Sequence, residues 1–158
     1  MHMRPQTRCP EFVAVQGRSH EYARAKAILN VGKHPTFIGR SLYAVSTRNG
    51  GATFFTVNGR DAAVALVQPR TNCLLVLCIV PPLRRYGLGQ AIVAYLQTSF
   101  ARVIETAVPF FERCGFVSIG RAKMGKRWKT QVMCRRSLID LAGRVSRILG
   151  DGQSSSLI

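Results

Sequence analysis

Apolar and polar positions follow one another along the chain in an order that predicts an α/β protein. Residues 11–16 form a short β-like run closed by Gly17, a first strand. Tyr22, Ala25, Ile28 and Leu29 then recur at helical spacing behind Ser19, which is placed to act as an N-cap, so a helix is expected to end between Asn30 and Gly32. Past the breaker His34-Pro35, Ile38, Leu42 and Val45 share one face of a shorter helix. Two β-type runs, 52–57 and 62–67, flank Asn58-Gly59, a pair suited to the positive φ angles of a tight hairpin. Residues 73–80 are apolar throughout, the pattern of a buried mid-sheet strand. Leu88, Ala91, Ile92, Tyr95, Leu96 and Ser99 mark one face of a long helix, and 102–105 predicts a short strand. Pro109 opens a short helix that Gly115 closes, and β-like runs follow at 116–121 and 127–135. Leu138, Leu141, Ala142, Val145, Ile148 and Leu149 then form an amphipathic helical stripe.

This order of elements in 158 residues predicts one domain over 1–136, a C-terminal helix over 137–149 and a flexible Ser-rich tail over 150–158. The longest apolar run, 73–83, is far shorter than the roughly 20 residues that span a bilayer, and no apolar leader opens the chain, so neither export nor membrane insertion is expected and a cytoplasmic location is. The five cysteines are odd in number, lack CxxC spacing and mostly lie in apolar stretches, as expected of reduced core residues. His2, His20 and His34 are scattered, and no metal site is predicted.

Charge changes the picture more. Lys and Arg number 23 against 7 Asp and Glu, a formal net charge of +16. A chain so charged self-repels unless a polyanion or counterions neutralise it, which makes DNA or RNA a candidate partner; a basic solubility bias and an acidic small ligand are the other readings. Oligomeric state is not set by any of these features.

The sharpest candidate chemistry follows the apolar strand. Pro81 and Pro82 stop it, and Arg84-Arg85-Tyr86-Gly87-Leu88-Gly89 leads into the long helix. Glycines remove the Cβ atoms that would keep a phosphate from the backbone, and the free N–H groups of the helix's first turn, with its dipole, favour an anion there. The run lacks the third glycine of a dinucleotide fingerprint and the Gly-Lys-Ser/Thr of a P-loop. Arg84-x-x-Gly87-x-Gly89 after Val80-Pro81 resembles the acyl-CoA signature of the GNAT acyltransferase superfamily, and Phe110-Phe111-Glu112-Arg113-Cys114-Gly115-Phe116 resembles that family's late aromatic helix and following strand.

The resemblance implies a GNAT fold, a mixed and mostly antiparallel sheet flanked by helices, and acetyl-CoA or another acyl-CoA as cosubstrate. It implies that main-chain groups of Cys78, Ile79 and Val80 meet the pantetheine arm, and that amides of Arg85, Tyr86, Gly87, Leu88, Gly89 and Gln90 hold the pyrophosphate behind Arg84 as leading basic residue. Two departures stand out. Phe111 occupies the position where many members carry a tyrosine acid, and the central strand has no carboxylate. Glu105, the sole acid from Arg70 to Phe111, is the candidate base if partial burial raises its pKa; a salt bridge with Arg102 is the structural alternative. Tyr86, Tyr95 and Cys114 are candidate proton donors with core packing as the alternative for the last two. The segment from Val103 to Phe116 is also similar to the branch containing phage Mom-type DNA-modification proteins.

Seven Lys or Arg and no acid lie between Arg121 and Arg136. Strand alternation sets Arg127, Lys129 and Arg135 on one face, a possible ladder for a phosphate backbone, and Trp128 on the other, where core packing competes with base stacking. The expected activity is N-acylation of an amine, with a nucleic-acid base, a protein amine or a small molecule as acceptor. A non-catalytic nucleic-acid-binding module on the same fold is the rival.

Overall fold

A computed structural model of the chain describes residues 8–32, 39–124 and 128–149. They form two compact units that divide between Thr98 and Ser99.

The first unit is a four-stranded antiparallel sheet with helices. Its strands are β1 (Val13–Gln16), β2 (Ala52–Val57), β3 (Arg60–Gln68) and β4 (Cys73–Ile79), paired in chain order. Asn58 (φ 52°) and Gly59 (φ 75°) form the β2–β3 turn with both φ angles positive, as expected of Asn-Gly. The helices are α1 (Tyr22–Val31), α2 (Arg40–Arg48) and α3 (Leu88–Leu96). Ala25, Ile28 and Leu29 of α1 and Tyr43 of α2 pack with Phe54, Val64, Leu66, Val76 and Cys78 in one buried cluster. The β4 strand is buried on the Leu74, Val76 and Cys78 face and half-buried on the other, so its continuous apolar run marks a strand covered unequally.

Three local expectations are corrected. Ser19 does not cap α1: it lies in a short 3-10 turn whose N-cap is Arg18, where the Glu21 carboxylate accepts the Arg18 N–H at 3.0 Å. In α3 the buried face is Leu88, Gly89, Ile92 and Val93, while Tyr95 is half exposed, its ring set against Phe12 and Phe55. The second helix begins at Arg40; Ile38, placed on it from the sequence, lies outside the described residues.

The second unit holds β5 (Phe100–Ile104), a 3-10 turn from Glu105 to Ala107, α4 (Val108–Arg113), β6 (Phe116–Met124), β7 (Trp128–Arg135) and α5 (Arg136–Leu149). Its sheet is antiparallel with β7 between β5 and β6. Pro109 sits in the first turn of α4, and Gly115, at φ 90°, ends it. The 150–158 tail lies outside the described residues. Cys78 and Cys134 are buried, Cys73 and Cys114 half-buried and Cys9 exposed, all of them free thiols.

Candidate functional site

The site is best built from β4 outward. Val80 donates its N–H to Ala62 at 2.9 Å, continuing the β3–β4 ladder. Main-chain groups of successive strand residues point to opposite sides, so Cys78 and Val80 serve β3, and Ile79 alone of the three turns its main chain away from it. Pro81–Leu83 then makes one 3-10 turn, closed by Leu83 N–H to Val80 at 3.1 Å and Arg84 N–H to Pro81 at 3.2 Å.

The chain next passes through two left-handed residues, Arg85 (φ 72°) and Gly87 (φ 79°), and Gly87 becomes the N-cap of α3. Gly87 is needed for its φ rather than for space: a Cβ there would meet only Cys9, at 4.0 Å. Arg85 adopts a similar φ with a side chain, a conformation that costs on the order of 1 kcal/mol and persists where the surroundings impose it. No side chain caps the helix, and its first described internal bond is Ala91 N–H to Gly87 at 3.1 Å. The amides of Leu88, Gly89 and Gln90 therefore have no acceptor within the helix and stand at the positive end of a nine-residue helix. Leu88 and Gly89 are buried and pin this turn to the core, while Arg85 and Gln90 are exposed and Tyr86 is 43% exposed.

Arg84 departs from the sequence expectation. Its Nε donates to the Ile79 carbonyl at 3.0 Å and its Nη2 to the Gly32 carbonyl at 2.8 Å. The guanidinium thus ties the C-terminus of α1 to the end of β4, behind the loop. Gly32 is where the two elements touch: a Cβ there would run into Cys78 Sγ and lie 3.2 Å from Arg84 Nη2. Cys78 Sγ in turn donates to the Ile28 carbonyl at 3.7 Å, and burial pushes its thiol pKa up against the opposing effect of Arg84. The sequence carried no signal for this tie, because its acceptors are main-chain carbonyls, one of them 52 residues from Arg84.

In the second unit Glu105 is exposed at the start of the 3-10 turn after β5 and forms no ion pair with Arg102 among the described residues. The partial burial expected of it is absent. Phe111 is buried with its ring edge-on to Phe110 and Phe116, at 5.1 and 5.7 Å between centroids, so a core contact occupies this position. Burial raises the pKa of Cys114, keeping it a protonated thiol.

Of the cationic ladder expected on β7, only Arg135 has a described side chain. Met133, two residues before it, is fully buried, and Cys134 is buried on the opposite face. Arg135 sets its guanidinium 4.8 Å over the Phe116 ring. Arg127 lies outside the described residues, as does the side chain of Lys129. Among the described residues no cluster of His, Cys, Asp or Glu could hold a metal ion, and no helix is long and apolar enough to cross a membrane.

No family model matches the chain, and no curated protein matches it in sequence. Solved structures do match. A GNAT-family acetyltransferase from Bacillus cereus is 14% identical with a TM-score of 0.60, over 78% of this chain and 95% of its own. The ribosomal-protein-S18-alanine N-acetyltransferase from Escherichia coli is 18% identical with a TM-score of 0.55, over 79% and 93%. Diaminobutyrate acetyltransferase from Paenibacillus lautus, solved with L-2,4-diaminobutyric acid and coenzyme A, is 13% identical with a TM-score of 0.56, over 79% and 95%. The chain has the α/β GNAT fold, a mostly antiparallel sheet with flanking helices.

Proposed function

We propose that the chain is an acyl-CoA-dependent N-acyltransferase. The observation that carries this reading is the uncapped N-terminus of α3, entered through Gly87 in the left-handed conformation directly after β4, in a chain with the GNAT fold. The residues fit the cosubstrate: amides without an intrahelical acceptor at a helix N-terminus suit a pyrophosphate, and the exposed Arg85 adds a cation beside them. The Ile79 N–H, turned away from β3, is the candidate partner for the pantetheine arm, its carbonyl already being engaged by Arg84.

A bound acyl-CoA supplies the activated acyl group. The chain's own part is to hold the anionic end on the amides of 88–90, to keep that loop in place through Arg84, and to accept a proton from the incoming amine. Glu105 remains the candidate for that last role, acting through water because it is exposed. With Phe111 buried in place of a tyrosine, positioning carries more of the rate than acid catalysis does.

For the acceptor we favour a nucleic-acid base, as in Mom-type modification, on the support of the net charge of +16. A protein or small-molecule amine, the acceptor class named for the E. coli and P. lautus structures, is the alternative. Calorimetry with acetyl-CoA tests the reading: the wild type binds, and Gly87→Val, which forces a β-branched residue to positive φ, lowers affinity at least tenfold. Mass spectrometry of DNA, RNA and protein from cells making the chain identifies the acceptor. Absence of coenzyme A binding by the folded wild type refutes the acyltransferase.

A further inference from the structure

A basic groove lies at the β1 edge of the first unit, three strands away from β4. A groove of about 520 Å³ lies between the end of β1 and the end of α2, lined by Gln16, Gly17, Arg18, Ser19, Thr47 and Arg48, with Val15 as its one apolar side chain. That volume falls within the range of about 300–1,000 Å³ typical of ligand sites. Its polar side chains are all hydrogen-bond donors and none is a carboxylate, with the Thr47 hydroxyl already donating to the Ala44 carbonyl at 2.9 Å.

The cations are available. Three other guanidinium groups of this unit are engaged, Arg24 with Glu21 and Asp61, Arg40 over the Tyr22 ring and Arg84 on two carbonyls, while those of Arg60, Arg70 and Arg85 are exposed outside the groove. Arg18 and Arg48 are exposed, and no described side chain pairs with either guanidinium. The nearest acid in sequence, Glu21, is bonded to Arg24 at 2.7 Å and to the Arg18 main chain, which holds its carboxyl below the usual range.

The groove's walls are also fixed. Gly17 N–H donates to Ala52 at 2.8 Å, Gly51 N–H to Ser46 at 2.7 Å, and the Tyr43 hydroxyl to the Arg18 carbonyl at 2.8 Å. A Cβ on Gly17 would meet Phe54 at 3.0 Å, and one on Gly51 would collide with the Val67 carbonyl, so both glycines let the walls close up.

We infer that this groove binds the phosphodiester backbone of nucleic acid. Arg, Ser, Thr and Gln side chains are the usual donors to backbone phosphates. The lining has no aromatic ring on which a base could stack and no leucine-rich face to enter a lipid layer, which leaves the phosphates as the recognised groups. The inference rests on the nucleic-acid part of the proposed function, not on acyl transfer, and gives it a binding surface in the β1–α2 groove.

The test uses the full chain and a labelled duplex of about 20 base pairs, titrated from about 50 to 200 mM salt. Arg18→Ala with Arg48→Ala is compared with Arg60→Ala with Arg70→Ala, an equal charge loss at exposed positions outside the groove. The groove pair should weaken binding at least tenfold and reduce the log–log salt slope by about 1.8, at about 0.9 per lost duplex phosphate contact. The control pair should change affinity less than threefold, and thermal denaturation should show all variants folded. Equal losses in both pairs overturn the groove and leave nucleic-acid binding standing as a diffuse effect of charge. No duplex binding by wild type overturns the nucleic-acid reading, while acetyl-CoA binding, measured on the same samples, reports separately on the acyltransferase.

Discussion

Arg84 carries five N–H donors in a planar fork, and two of its nitrogens are committed to the Ile79 and Gly32 carbonyls. Hydrogen bonds from a charged donor contribute about 1.5–3 kcal/mol each when buried and less when half exposed. Arg84→Ala should therefore lower stability by about 1–3 kcal/mol in chemical denaturation without ligand. Arg84→Lys keeps the charge but offers one compact ammonium in place of the fork, and should recover less than half of that loss. A residue acting only as a charge on a bound phosphate would show no stability change in either variant. Gly87 made the entry to α3 legible because glycine reports a left-handed φ, whereas Arg85, at φ 72°, carries no such signal. The role of Arg84 was illegible because no residue type announces a carbonyl as the partner. Glu105 illustrates the opposite failure: its scarcity in the sequence drew notice, but burial is set by surroundings that a short strand end does not encode.

At the level of elements, the docking of α1 on β4 turns on one contact. Gly32 closes α1 with φ −75°, a conformation open to any residue, so the Cys78 sulfur rather than the backbone excludes a side chain there. Gly32→Ala should cost about 1–3 kcal/mol through overpacking. Adding Cys78→Ala should return part of it, so the double variant is more stable than the sum of the singles predicts when both are measured by denaturation. The β2–β3 hairpin was readable because Asn58-Gly59 encodes its own turn. Periodicity misassigned Tyr95 and Val93 on α3 because a 3.6-residue repeat leaves the edges of the apolar face ambiguous, and the core chose Val93.

Across the whole molecule the dominant quantity is the imbalance of 23 cations and 7 acids. Arg24 alone holds two of those acids, Glu21 and Asp61, and lies 4.1 Å over Phe54, so much of the first unit's negative charge serves one internal anchor. The remaining cations repel one another with a range set by the Debye length, about 30 Å at 0.01 M salt and 8 Å at 0.15 M. Thermal stability should accordingly rise between about 10 and 150 mM salt, as measured by the unfolding midpoint without ligand. A fall over that range would mean that the few ion pairs outweigh the repulsion. Composition made the repulsion legible, but not where the available cations gather, since that required β1 and α2 to be brought together from residues 16–19 and 47–48.

The Arg84 tie bears on how such a chain can drift. Its acceptors are carbonyl oxygens, which every amino acid possesses, so substitution at position 79 can change the side chain without removing the bond. Relatives diverging from this sequence would hold positions 32 and 84 for separate reasons, one for lack of room and the other for the fork. No reciprocal exchange between two side chains would record that these positions touch, and pairwise covariation would pass over the link that joins the first helix to the loop.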